Sequence, residues 1–157
     1  MPMNTTIISN SSIETEDIAY NVGIKLKGGE VIELVSELGG GKTTFTHGLA
    51  KGINSEDKVA SPTFTVNKIY NGTKLNIYHY DFYRLNDAEL LKYEIKELMI
   101  NPKNILVIEW PELIKDILPK ESIKIEFKYT GEESRNINFT YPNNLSYLIS
   151  SYVESNN

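Results

Sequence analysis

The period of the apolar positions changes several times along the chain, and each change marks a different element. From Ser12 to Lys27, Ile18, Val22 and Leu26 recur at i, i+4 and i+8, the stripe of an amphipathic helix that Gly28-Gly29 ends. Glu30 to Ser36 reads as a strand, and Thr43 to Lys51 as a helix burying Phe45 and Leu49. The helical period returns from Ala88 to Met99, with Ala88, Leu91, Ile95 and Leu98 on one face. Asn104 to Glu109 holds the unbroken run Ile105-Leu106-Val107-Ile108, the pattern of a strand covered on both sides. Farther on, Ile123, Ile125, Phe127 and Tyr129 alternate with Lys124, Glu126 and Lys128, and Ile137, Phe139 and Tyr141 repeat the alternation beyond Thr130-Gly131-Glu132-Glu133-Ser134. That is an antiparallel hairpin with one wet face. Leu145, Leu148, Ile149, Tyr152 and Val153 predict a closing amphipathic helix. The Asn-rich stretches Asn4 to Ser12 and Ser155 to Asn157 are expected to fray, most of all at the tips 1–4 and 154–157. Strand-helix alternation followed by a hairpin predicts a layered α/β domain with a mixed sheet.

Composition narrows the class. A chain of 157 residues fits one domain, and 40% apolar with 24% charged residues argues against a disordered or fibrous chain. The longest aliphatic run is far short of the roughly 20 residues that span a bilayer. No positively charged start and secretory-length apolar stretch open the chain, so export is not expected. The absence of cysteine excludes disulfides and thiolate metal sites and makes a cytoplasmic location the expectation. Sixteen Lys and Arg against twenty-one Asp and Glu give a net charge of -5, a poor balance for gripping nucleic acid directly.

One stretch carries a specific chemistry. The strand ending at Ser36 runs through Glu37-Leu38 into Gly39-Gly40-Gly41, then Lys42-Thr43-Thr44 and a helix. Glycines let successive backbone N–H groups turn inward around an anion, and the helix N-terminus adds partial positive charge. In such a phosphate loop Lys42 would reach the β- and γ-phosphates and the Thr43 hydroxyl would ligate Mg²⁺. The pattern G-x-x-x-x-G-K-[ST] departs at Ser36. If that backbone must be left-handed, a non-glycine there costs about 1–2 kcal/mol, roughly five- to thirtyfold in affinity.

Nucleotide hydrolysis also needs acids to hold metal and orient water. Glu109 ends the buried run, and Asp81 stands at even spacing from Leu75, Ile77 and His79, so each falls at a predicted strand end. Only Arg84 and Arg135 among the basic residues are arginines, candidates for roles that need a forked guanidinium. His47 and His79 have no third ligand spaced with them and read as surface or structural residues. Tyr78, Tyr80, Phe82 and Tyr83 read as core and sheet face.

Four blocks occur in order: Ser36-Glu-Leu-Gly-Gly-Gly-Lys-Thr-Thr44, Ser61-Pro-Thr-Phe-Thr65, His79-Tyr-Asp-Phe-Tyr-Arg-Leu85 and Ile108-Glu-Trp-Pro-Glu112. Together they resemble the TsaE (YjeE) family, from about Ser12 to Arg135. The resemblance implies a P-loop NTPase-like three-layer domain with a mixed, largely parallel central sheet and a C-terminal antiparallel hairpin. It implies an ATP- and Mg²⁺-dependent subunit that joins a TsaB–TsaD pair and supports threonylcarbamoylation of adenosine 37 in tRNAs reading ANN codons. The tRNA would then be met only through the complex. By position, Gly39, Gly40, Gly41, Lys42, Thr43 and Thr44 would wrap the phosphates, while Thr43 and Glu109 would hold Mg²⁺. Asp81 would orient water or serve as a second metal partner, so Asp81, Glu109 and Lys42 form the implied catalytic set. Ser12, Thr15 and Arg135 would contact the nucleotide, and Ser61 to Thr65 would act as a switch-like loop. Glu37 stands where the family has Asp, and Glu94 where a Gly usually precedes Ile, which bears on the end of the Ala88 to Met99 helix. A nucleotide-gated interaction module with negligible turnover is the second reading.

Overall fold

A computed structural model of the chain describes residues 2–36, 41–57, 67–83 and 85–155. Gly39, Gly40, Glu37, the Ser61 to Thr65 block and Arg84 lie outside the described residues. Seven strands form one sheet in the order β1-β7-β6-β2-β5-β4-β3. They are β1 (Met3–Ser9), β2 (Val31–Val35), β3 (Asn67–Asn71), β4 (Asn76–Asp81), β5 (Asn104–Glu109), β6 (Ile123–Tyr129) and β7 (Arg135–Tyr141). The central strands β6, β2, β5 and β4 run parallel, whereas β7 and β1 on one side and β3 on the other are antiparallel to their neighbours.

Alternate residues of each central strand point to opposite faces, and both faces are covered. Ile32 and Leu34 of β2 and Ile105 and Val107 of β5 join the core beneath α1 (Ser12–Gly23), α2 (Lys42–Gly52), a 3₁₀ segment (Asn143–Leu148) and α4 (Ser150–Ser155). Val31, Leu106 and Ile108 face the other way, under α3 (Glu89–Leu98) and the 3₁₀ segment Pro111–Ile117. The three-layer α/β expectation therefore holds, with the parallel part confined to the centre. The predicted hairpin is β6–β7, and its outer face carries the half-exposed Lys124, Glu126, Asn136 and Asn138.

Three local expectations need correction. The first helix stops at Gly23, because the chain tightens into i→i−3 turns at Lys25 and Leu26 before entering β2. Leu26 is still buried. The closing helix is split: Pro142 opens a 3₁₀ segment that puts Leu145 and Leu148 one turn apart, and only then does α4 begin. Most of the stretch expected to fray at the N-terminus is ordered. Met3–Ser9 pairs along its whole length with β7, and Thr5 Oγ1 lies 2.8 Å from Tyr141 Oη while Thr6 donates to Asn138. Asn-richness hid a β-branched run, Thr5-Thr6-Ile7-Ile8, that suits an edge strand.

α2 is seated by close backbone approach to α1. A β-carbon on Gly48 would lie 2.4 Å from the Glu16 carbonyl oxygen and 2.5 Å from Ala19 Cβ, so no larger residue fits between the helices. This fixes where the head of α2 points, which is toward the site.

Candidate functional site

In an α/β sheet, ligand sites lie at the carboxyl ends of the parallel strands. Here β2 ends at Val35, β4 at Asp81 and β5 at Glu109, and register places Asp81 directly opposite Glu109. The antiparallel outer strands bring two further positions to the same edge. β7 begins at Arg135, which pairs with Ser9 at the end of β1. Residues far apart in sequence thus meet at one rim.

α2 begins at this rim. Its cap residue, Gly41, has φ 106°, a left-handed conformation that glycine adopts without strain. The first backbone bond of the helix is Phe45 N–H to Gly41 O, so the N–H groups of Lys42, Thr43 and Thr44 have no acceptor within the helix. A β-carbon on Gly41 would come within 2.2 Å of Arg135 Nη1, which puts the guanidinium against the helix head. The buried Arg135 is also held over the Tyr129 ring, 5.2 Å from its centre. Thr43 is exposed and Thr44 half-buried.

Lys42 is buried and tied to three partners. Its Nζ donates to the Ser36 carbonyl at 3.2 Å, lies 3.6 Å from Glu109 Oε1 and sits 4.9 Å from the centre of the Trp110 ring. Trp110 itself has φ 57°, a left-handed geometry that costs a non-glycine residue about 1–2 kcal/mol. That turn carries the indole out of line with β5, where it lies 5.0 Å from Tyr83 and above the lysine. Ser36 has no positive φ: among the described residues only Asn54 and Trp110 do so without being glycine. The affinity loss expected for a strained Ser36 therefore has no backbone basis in this conformation.

Glu109 is buried, and its second oxygen accepts a 2.5 Å hydrogen bond from His79 Nε2. His79 is fully buried on the same face of β4 as Asp81. Sequence reading set this histidine aside as structural. The clue was its spacing, two residues before Asp81 on a strand whose parallel neighbour ends in an acid. Asp81 accepts the Tyr83 N–H, and burial together with the nearby Glu109 charge raises its pKa against that bond.

Ser12 and Thr15 reach the same rim at the head of α1, but differently. Ser12 is exposed at the first position of the helix. Thr15 is fully buried, its hydroxyl 2.7 Å from Ser9 Oγ and bonded to the Ser11 carbonyl, while Ser11 Oγ caps Glu14 N–H. Thr15 thus shapes the β1–α1 turn and presents no open hydroxyl. Glu94 sits mid-helix rather than at a helix end, where it accepts from Tyr80 Oη and Asn67 Nδ2.

Among the described residues no three His, Asp or Glu side chains converge as a ready-made metal cage. One or two carboxylates beside a helix head would instead suit Mg²⁺, an ion that takes much of its coordination from phosphates and water. At one sheet edge this α/β protein gathers two cations, two carboxylates and helix N–H groups with no acceptor inside the helix.

The family model for "Threonylcarbamoyl adenosine biosynthesis protein TsaE" matches residues 9–137, and the chain belongs to the TsaE family. It is 39% identical to the tRNA threonylcarbamoyladenosine biosynthesis protein TsaE of Bacillus subtilis over 131 residues, covering 81% of this chain and 79% of that one. The TsaE protein of Haemophilus influenzae is 38% identical over 115 residues, 73% of this chain and 72% of its own. That of Rickettsia bellii is 34% identical over 142 residues, 88% and 96% of the two chains. The crystal structure of Bacillus subtilis YdiB superposes with a TM-score of 0.78 at 31% identity, covering 100% of this chain and 99% of that one. The family ties the chain to tRNA modification. No helix of the described residues is long and apolar enough to cross a membrane.

Proposed function

We propose that this chain is a Mg²⁺-dependent ATP-binding and hydrolysing subunit required for threonylcarbamoylation of adenosine 37 in tRNAs reading ANN codons. It acts in the cytoplasm on a TsaB–TsaD-type protein pair and meets tRNA only through that pair, which suits its net charge of -5. The observation that supports this reading is the buried Lys42 at the head of α2, 3.6 Å from Glu109, with Arg135 set against the preceding Gly41. Two buried cations beside a helix N-terminus match the charge of a polyphosphate.

In the proposed reaction Gly39, Gly40, Gly41, Lys42, Thr43 and Thr44 hold the phosphates. Lys42 exchanges Ser36 and Glu109 for phosphate oxygens and stabilises charge developing on the leaving group. The Thr43 hydroxyl and Glu109 would hold Mg²⁺, with Asp81 as second metal partner or water-orienting base. Bound there, the cation offsets phosphate charge and fixes the geometry of in-line attack. Arg135 would contribute a fixed positive charge, and Ser12, exposed at the first position of α1, would contact the nucleotide.

Lys42→Ala should abolish the ATP-dependent fluorescence change of Trp110, the sole tryptophan, whose ring the ammonium group faces at 4.9 Å. An unaltered response in that variant would place the nucleotide elsewhere.

A nucleotide-gated docking module with negligible turnover is the second reading. It is favoured by Leu90, Tyr93 and Ile100, which stand exposed along and just beyond α3 like an uncovered contact face. Single-turnover hydrolysis with and without the partner pair separates the two. No phosphate release under either condition leaves only the module.

A further inference from the structure

We propose that His79 is a positioning residue of this site: it restrains one oxygen of Glu109 so that only the other faces Lys42 and a divalent cation. The inference rests on the Mg²⁺-nucleotide reading above.

The two oxygens of Glu109 have separate partners. Oε2 accepts from His79 Nε2 at 2.5 Å, and Oε1 lies 3.6 Å from Lys42 Nζ. With Oε2 engaged by the histidine, Oε1 is the oxygen turned toward Lys42. Small, octahedral Mg²⁺ is served by single oxygens from protein carboxylates, its other positions going to phosphate and water.

The imidazole packs against the Tyr70 ring, 6.4 Å between centres, but an apolar side chain could make that contact as well. His79 is fully buried, and its Nδ1 has no hydrogen-bond partner among the described residues. A buried polar atom left unpaired forfeits its hydration without compensation. Ile77, two residues earlier on the same face, and Val107, paired with His79 in the register, show that aliphatic side chains fill this layer without that cost. What the histidine supplies, and an aliphatic residue would not, is the Nε2 donor aimed at Glu109. Groups that orient a ligating carboxylate this way commonly change metal affinity by about 10- to 100-fold when removed.

The test compares His79→Leu, His79→Gln and His79→Asn in the full chain. The glutamine amide nitrogen reaches about as far as Nε2, whereas the asparagine nitrogen reaches only to Nδ1. Two readouts are taken: the thermal midpoint without ligand, and the Mg²⁺ concentration that half-saturates the Trp110 fluorescence change with ADP. His79→Leu should fold and still bind ADP without Mg²⁺, but need at least roughly tenfold more Mg²⁺. His79→Gln should return close to the native requirement, and His79→Asn should follow the leucine variant. An unchanged Mg²⁺ requirement in folded His79→Leu overturns the proposal, as do glutamine and asparagine variants shifted alike. Where the leucine variant does not fold, the glutamine–asparagine comparison decides alone. A native chain with no Mg²⁺-dependent nucleotide response sinks the nucleotide reading itself, whereas a native response that all three variants share sinks only the role of His79.

Discussion

At the scale of single residues, the rim of the sheet concentrates charge that the fold tolerates only because each group is answered by another. Asp81 is the least settled member. Burial and the adjacent Glu109 raise its pKa, and the Tyr83 N–H, His79 and Lys42 only partly offset them. A carboxyl whose pKa is higher folded than unfolded binds its proton more tightly in the native state, so its ionisation costs stability. Native stability should therefore fall, relative to an Asp81→Asn chain, as pH rises from the ordinary carboxylate range through the raised value. Asparagine keeps an oxygen for the Tyr83 N–H. Without ligand, Asp81→Asn should melt higher at pH 7 and lose that advantage near pH 3, where both chains are uncharged at this position. Thermal melts of the two proteins across pH 3–7 check this, and a constant or inverted difference would contradict it. With Mg·ATP bound, the order should reverse if Asp81 faces the cation.

At the scale of elements, what was legible in the sequence was whatever depends on local periodicity. The buried run Asn104 to Glu109 is β5 to the residue, and the β6–β7 alternation is the hairpin with its wet face. Lys42, Glu109, Asp81 and Arg135 were legible as chemistry because they sit at strand and helix ends, which the topology gathers at one edge. What was not legible depends on partners distant in sequence. β1 reads as a polar tail until β7 is beside it, and His79 reads as filler until β5 brings Glu109 within 2.5 Å. Glu94 is of this second kind. In sequence it departs from a glycine, yet in the fold its carboxylate takes Tyr80 Oη from β4 and Asn67 Nδ2 from β3, fastening α3 across the strand pair. Burial first, and then the bond to Glu94, push the Tyr80 hydroxyl pKa upward, while Asn67 opposes them. Glu94→Ala should cost about 1 kcal/mol, the net worth of a partly exposed side-chain hydrogen bond. Glu94→Gly should cost about 1 kcal/mol more through its poor helix propensity. Urea denaturation measures both, and equal stability of the alanine variant and the native chain would reduce Glu94 to a surface residue.

At the scale of the whole molecule, the parallel centre supplies the acids and the antiparallel margin supplies the arginine. Arg135 starts β7, and β7 is held between β6 and β1, so the guanidinium keeps its place beside Gly41 only while the margin of the sheet is intact. β1 does more than close an edge. Ile7 packs on the main core, Ser9 pairs with Arg135 in the register, and Ser9 Oγ meets the buried Thr15 hydroxyl at the head of α1. Removing residues 1–9 would uncover Ile7's contacts, leave Thr15 without its Ser9 partner and expose the backbone edge of β7. Loss of the partly buried isoleucine alone is worth up to about 1.5 kcal/mol, before the backbone bonds of the pair are counted. The truncated chain should therefore unfold at clearly lower urea, and at temperatures where it remains folded it should bind Mg·ATP more weakly through a looser Arg135. An Arg135→Ala substitution in the native chain should weaken nucleotide binding without the stability loss expected of truncation, and adding it to the truncated chain should cost less than it does alone. If instead truncation lowers stability while the cost of Arg135→Ala is the same in both chains, the margin of the sheet serves the fold and not the site.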